Sequence, residues 1–141
     1  MSRMASDFKN IRMKIAKDTL SFILEVSRSS APLEFAGMLQ ADGDIITEVV
    51  VVPGTESSDE SAVMELFMLP NIYTVGTVHS HPSGNTRPSR TDLELFGRKG
   101  KVHIIVGAPY DTSSWRSYNN KGEPMRVEVV DYKFKEENEK W

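Results

Sequence analysis

Apolar residues in this chain are gathered into runs of strand length, each closed by a Gly, Pro, Asn or Asp signal, and this punctuation limits the fold more than any other feature. Ile11, Met13 and Ile15 alternate with Arg12 and Lys14, which predicts a short half-buried strand. A helix is expected next, with Asp18 as N-cap and Leu20, Ile23, Leu24 and Ser27 at helical spacing, until Ser29-Ser30-Ala31-Pro32 stops the pattern. Phe35 to Gln40 and Ile45 to Val52 read as a hairpin around Ala41-Asp42-Gly43-Asp44, and Pro53-Gly54 ends its second strand. Thr55 to Ser61 is a polar loop, and Ala62 to Met68 is ambiguous between strand and helix. Tyr73 to His81 is a strand, Pro82 to Pro88 a loop, and Ser89 opens a second helix. Lys101 to Val106 is a buried strand, while Ser113 to Tyr118 and Met125 to Tyr132 flank Asn119-Asn120-Lys121-Gly122 as a closing hairpin. Strands interleaved with two helices predict an α/β sheet domain.

At 141 residues the chain has the size of one domain. Residues 10–134 are expected to form it, with a flexible N-terminus at 1–9 and a charged tail at 135–141. Seventeen Lys and Arg against 20 Asp and Glu leave a net charge of -3, which disfavours a phosphate backbone as ligand. Cysteine is absent, so thiolate zinc sites, Cys nucleophiles and disulfide scaffolds are excluded, and any metal must be held by His and carboxylate. No apolar stretch is long enough to read as a membrane span or signal-peptide core, and a soluble cytoplasmic protein is expected.

The residues that carry chemistry lie around one loop. His79 and His81, two apart on a strand, face the same side with their bases about 7 Å apart. Asp92 follows in the first turn of the helix that Ser89 opens, where the Pro-rich loop can fold its carboxylate back towards the strand end. Two imidazoles and one carboxylate give three ligands and leave a position for water, as a catalytic zinc site requires. Ser89 and Asp92 also make a good N-cap pair, a use compatible with the catalytic one. Glu34, Glu48 and Glu65 are each candidates for a general base, because all three lie in apolar surroundings.

His79-Ser80-His81-Pro82, seven residues from His81 to Ser89, then two to Asp92, resembles the JAMM motif of the MPN-domain metalloproteases. Pro32 to Leu39 is similar to the segment in which that family carries its catalytic glutamate. The likeness continues through Val75-Gly76-Thr77-Val78, His103-Ile104-Ile105-Val106 and Trp115, and spans Met13 to Val130. It is greatest to the compact archaeal members, since there is little room for the substrate-clamping segments of the eukaryotic polyubiquitin-cleaving ones. The resemblance implies a mixed, curved β-sheet packed between helices, similar to that of cytidine deaminases. It also implies one zinc ion on His79, His81 and Asp92, with Glu34 as general base and Ser89 as transition-state stabiliser. The implied reaction is hydrolysis of the peptide or isopeptide bond after the C-terminal glycines of a ubiquitin-like protein, in archaea a small archaeal modifier.

Three other readings are open to the same residues. One is release of cysteine or another small group from the Gly-Gly C-terminus of a sulfur-carrier protein. Another is a non-haem iron oxygenase, which also uses two His and a carboxylate. The third is a non-catalytic MPN scaffold, disfavoured by the complete ligand set. His103, in a β-branched strand, is expected to be structural, and Trp115 and Tyr118, three apart on a strand, should face opposite sides. Met64, Phe67 and Met68 are candidates for a substrate groove, where an extended glycine tail could add as a strand to an edge.

Overall fold

The computed structural model describes residues 13–52, Leu66 and residues 74–133. Met64, Phe67, Met68, Glu65, the polar loop from Thr55 and both expected tails lie outside the described residues. β1 (Met13–Ala16) runs directly into α1 (Lys17–Ser30), followed by β2 (Ala36–Asp42), β3 (Ile45–Val51) and β4 (Gly76–His81). Then come α2 (Arg90–Phe96), β5 (Val102–Gly107), β6 (Trp115–Tyr118) and β7 (Val127–Val130).

These strands form one mixed sheet in the order β6-β5-β4-β2-β3-β1-β7. β4 with β5, and β1 with β3 and β7, are parallel, and the remaining pairs are antiparallel. The closing hairpin expected between β6 and β7 does not form: β7 pairs with β1, Met13 opposite Val127. The turn itself is present, with the Asn119 amide donating to the Glu123 carbonyl at 2.9 Å and a bridge between Tyr118 and Pro124. Pro124 has no N–H with which to extend that ladder. After Met125 bonds to the Ser117 carbonyl, the chain crosses to the far end of the sheet by Val127. In a flat sheet of seven strands the end strands would lie about 29 Å apart, whereas two residues reach about 7 Å. The sheet is therefore curled until its two ends nearly meet.

The curl gives two cores. On the inner side α1 packs Leu20, Ile23 and Leu24 against Ile15, Leu39, Ile46, Ile104 and Val106. On the other side Leu95 and Phe96 of α2 pack with Ala36, Met38, Leu66, Ile105 and Tyr118. Adjacent residues of β5 divide between these cores, so every residue of β5 is buried, and so is every residue of β4. The strand expected over Tyr73 to His81 forms from Gly76 and is buried along its whole length, as happens when helices cover both faces of a sheet. Trp115 packs on the first core and Tyr118 lies in the second, the opposed placement that their spacing predicts. At the edge of β4, a Cβ on Gly76 would come within 1.5 Å of the Val102 carbonyl oxygen, so only glycine lets β4 and β5 approach there.

Two local expectations change. Asp18 lies in the first turn of α1 rather than at its cap, which is Ala16 with no side-chain bond, because the helix begins as soon as β1 ends. The hairpin turn is tighter than read: β2 runs through Asp42, paired with Ile45, so only Gly43 (φ 64°) and Asp44 form the turn.

Candidate metal centre

The site is assembled from the C-terminal end of β4 and the N-terminal end of α2. His79 and His81 share one face of β4, with ring centroids 4.9 Å apart. Between them Ser80 points the other way, accepting from the Phe35 amide at 2.8 Å through Oγ while its own amide donates to the Phe35 carbonyl at 2.9 Å. This double tie fixes the antiparallel register of β2 on β4, in which Ala36 lies opposite His79. Continued by two residues, that register brings Glu34 to the level of His81.

Asp92 reaches the site because Ser89 caps α2. The Ser89 Oγ accepts from the Asp92 amide at 3.1 Å, and Asp92 Oδ2 accepts from the Ser89 amide at 2.9 Å, a reciprocal capping box. The capped carboxylate then presents Oδ1 to His79 Nε2 at 3.0 Å and Oδ2 to His81 Nε2 at 3.3 Å, and the two Nε2 atoms are 3.2 Å apart. Bonds of about 2.0–2.1 Å to a tetrahedral zinc ion place neighbouring donors about 3.3 Å from each other. The spacing of these three donors fits that ion. His81 Nδ1 lies 2.7 Å from the Asn85 carbonyl, to which it donates, and this leaves Nε2 with its lone pair towards the centre. Gly84, at φ 90°, makes the preceding turn, its amide donating to the His81 carbonyl at 2.9 Å.

The electrostatics also call for a cation. Asp92 is 1% exposed and His79 is fully buried. Burial pushes the Asp92 carboxyl up, but hydrogen bonds from His79 and His81, the His79 charge and the Ser89 amide together hold it well below the usual carboxylate range. A buried carboxylate with no Lys or Arg beside it among the described residues is costly unless a positive centre completes it. Both carboxylate oxygens of Glu34 and Nδ1 of His79 are likewise buried without a hydrogen-bond partner among the described residues. Glu48, by contrast, is exposed on β3 opposite Gln40, two strands from the histidines.

His103 is structural, as expected. Its Nδ1 lies 2.8 Å from Thr77 Oγ1, its Nε2 3.0 Å from the Gly100 carbonyl, and its ring stacks on Phe96 at 4.3 Å. Burial pushes its pKa down to about 4, the Gly100 bond opposing and the nearby His79 adding to the shift. The stack holds α2, and with it Asp92, on β5. Sequence reasoning missed Ser80 and Asn85 as positioning residues. Ser80 could be singled out only once the register was known, and Asn85 acts through its backbone carbonyl, which no residue type encodes.

Residues 16–119 match the family model described as prokaryotic homologs of the JAB domain. A probable metalloprotease of Haloferax volcanii is 40% identical over 128 residues, covering 83% of this chain and 79% of that protein. Among solved structures, a JAB1/MPN domain protein from Archaeoglobus fulgidus is 42% identical with a TM-score of 0.70, over 84% of this chain and 97% of that one. A second, described as JAMM, a metalloprotease-like zinc site in the proteasome and signalosome, is 41% identical with a TM-score of 0.68, over 84% of this chain and 98% of that one. With its three donors converging at zinc spacing, the chain belongs to the prokaryotic JAB family and is a compact zinc metalloprotease of the JAMM/MPN type.

Proposed function

We propose that this protease hydrolyses the peptide or isopeptide bond that follows the C-terminal glycines of a ubiquitin-like modifier protein, with cytoplasmic conjugates as its targets. The observation that carries the hydrolytic part is Glu34: a buried carboxylate without a partner among the described residues, brought by the β2–β4 register to the level of His81. When bound, zinc supplies a water of lowered pKa and polarisation of the scissile carbonyl. His79, His81 and Asp92 hold the ion. Glu34 takes the proton of the attacking water and returns it to the departing amine. The Ser89 hydroxyl accepts from the Asp92 amide through its oxygen, so its own proton stays available to the charge that develops on the carbonyl oxygen.

The substrate class rests on kinship with the JAMM proteins and on the chemistry of the tail. A glycine end has no side chains, so it can pass close to a centre walled by two strands and a helix without a side-chain pocket. The test is cleavage of a modifier–lysine isopeptide conjugate by the zinc-loaded protein, with and without a chelator. Release of intact modifier, abolished by the chelator and restored by zinc, supports the reading. A zinc-loaded protein that leaves the conjugate whole while releasing cysteine from a sulfur-carrier C-terminus would replace it.

A further inference from the structure

Between the loop that follows His81 and the outer strand β6 lies an open cleft of about 590 Å³, lined among others by Asn85, Thr86, Arg87, Arg116 and Tyr118. It adjoins the metal centre directly, because Asn85 is the residue whose carbonyl holds His81. Among the described residues its lining contains two arginines and no Asp or Glu, in a chain whose net charge is -3. Glu123, next to lining residues Gly122 and Pro124, is turned away and accepts from Asn119 Nδ2 at 2.9 Å. Neither arginine forms an ion pair among the described residues: Arg116 donates to the Trp115 carbonyl at 3.0 Å, and Arg87 is fixed through its backbone amide to Asn85 Oδ1 at 3.1 Å.

The cleft is also held in shape. Tyr118 is buried, stacks on Phe96 at 6.0 Å, and donates its hydroxyl to the Thr86 carbonyl at 2.7 Å, so β6 and the loop are latched together next to Arg87. Both guanidinium groups act on this one phenol, drawing its pKa down against the larger upward push of burial. Arg116 lies opposite Ile105 on β5, on the same side of the sheet as the histidines and α2. Two exposed guanidinium groups, without an ion pair among the described residues and lining one prearranged cleft, match a carboxylate, which each can meet with paired N–H donors.

We propose that Arg87 and Arg116 form a subsite for an acidic side chain of the target polypeptide, flanking the lysine from which the modifier is released. This deepens the reading above and rests on it, since a tail ending in two glycines offers no side-chain carboxylate near the metal and the anion must come from the leaving side.

The test compares three conjugates of one modifier, joined to lysine peptides whose flanks are acidic, neutral or basic, cleaved by the zinc-loaded protein and by Arg87→Gln/Arg116→Gln. Wild type should favour the acidic over the neutral flank by about five- to tenfold in kcat/KM, the preference shrinking as salt rises. In the double variant the ratio should fall to about one. Equal rates on all three flanks, with the ratio unmoved by the substitutions, would overturn the subsite while leaving the isopeptidase reading intact. If no conjugate is cleaved, that reading fails, and binding decides the subsite. The labelled acidic peptide should then bind the zinc-loaded wild type at least fivefold more tightly than the double variant, and equal binding overturns the proposal. A loss confined to substrates whose leaving group is a free amino acid would reassign the arginines to an α-carboxylate and also overturn it.

Discussion

The two sides of the curled sheet are built on different terms. Against α1 the core is almost wholly apolar, with Ile15, Ile23, Leu39 and Ile46 at 0% exposure. Against α2 the apolar cluster is smaller and shares its space with buried His79, His81, Asp92, His103 and Thr77. The first side holds the sheet together through apolar burial, at about 25 cal/mol for each Å² removed from water. Among the described residues, buried polar atoms without a partner are Ser27 Oγ on the first side and both Glu34 carboxylate oxygens and His79 Nδ1 on the second, each costing about 1–3 kcal/mol. Apolar burial is thus concentrated on the side that performs no chemistry, and the side that carries the donors gathers the buried acidic and imidazole groups among the described residues.

The sharpest break of this contrast is at the ligands. His79→Ala or Asp92→Asn should lose zinc by elemental analysis and reduce hydrolysis by about ten-thousandfold or more, with the α1 side still folded by far-UV circular dichroism. Zinc retained at one equivalent in both variants would sink the ligand assignment. Glu34→Gln should cut turnover by about a thousandfold while zinc stays bound. It should leave the melting temperature almost unchanged, because the amide keeps the shape of the carboxylate it replaces. A variant that loses activity and stability together would show Glu34 to be a structural group instead.

On the apolar side, Ile23→Ala should cost about 3 kcal/mol in denaturant unfolding with zinc affinity unchanged, since the cavity opens across the sheet from the donors. A pH series separates the sides further. The His103 pKa is about 4 in the folded protein against 6.5 ordinarily, so between those values the unfolded chain binds the extra proton. Its contribution is complete above about pH 6.5 and is lost as pH falls towards 4, amounting to about 3 kcal/mol over the window. The measurement is the difference in unfolding free energy between wild type and His103→Gln, which should narrow by that amount on acidification. The smallest stability effect is expected at Ser89→Gly, which costs the cap only a few tenths of a kcal/mol. A hundredfold loss of rate in that folded variant marks the hydroxyl as a transition-state donor, and unchanged turnover reduces Ser89 to a cap.

Much of this was legible in the residues alone. The spacing of His79, His81, Ser89 and Asp92 fixes which groups can meet, because strand alternation and helix capping are local and depend on neighbours within a few positions. The α1 face was legible for the same reason, through the helical spacing of Leu20, Ile23, Leu24 and Ser27. The partner of β7 was not: a turn signal at Asn119 to Gly122 reads as a hairpin in any sequence, and only the tertiary structure seats Val127 opposite Met13 at the other end of the sheet. Local pattern likewise left Glu34 and Glu48 equivalent. Tertiary pairing separates them, since the Ser80–Phe35 tie sets a register between segments 45 residues apart in sequence, burying Glu34 at the level of His81 and leaving Glu48 in solvent. Short-range periodicity determines elements and caps, whereas which strand lies beside which is decided by burial over the whole chain, and only that packing brings the end of β4 and the capped α2 together around His79, His81 and Asp92.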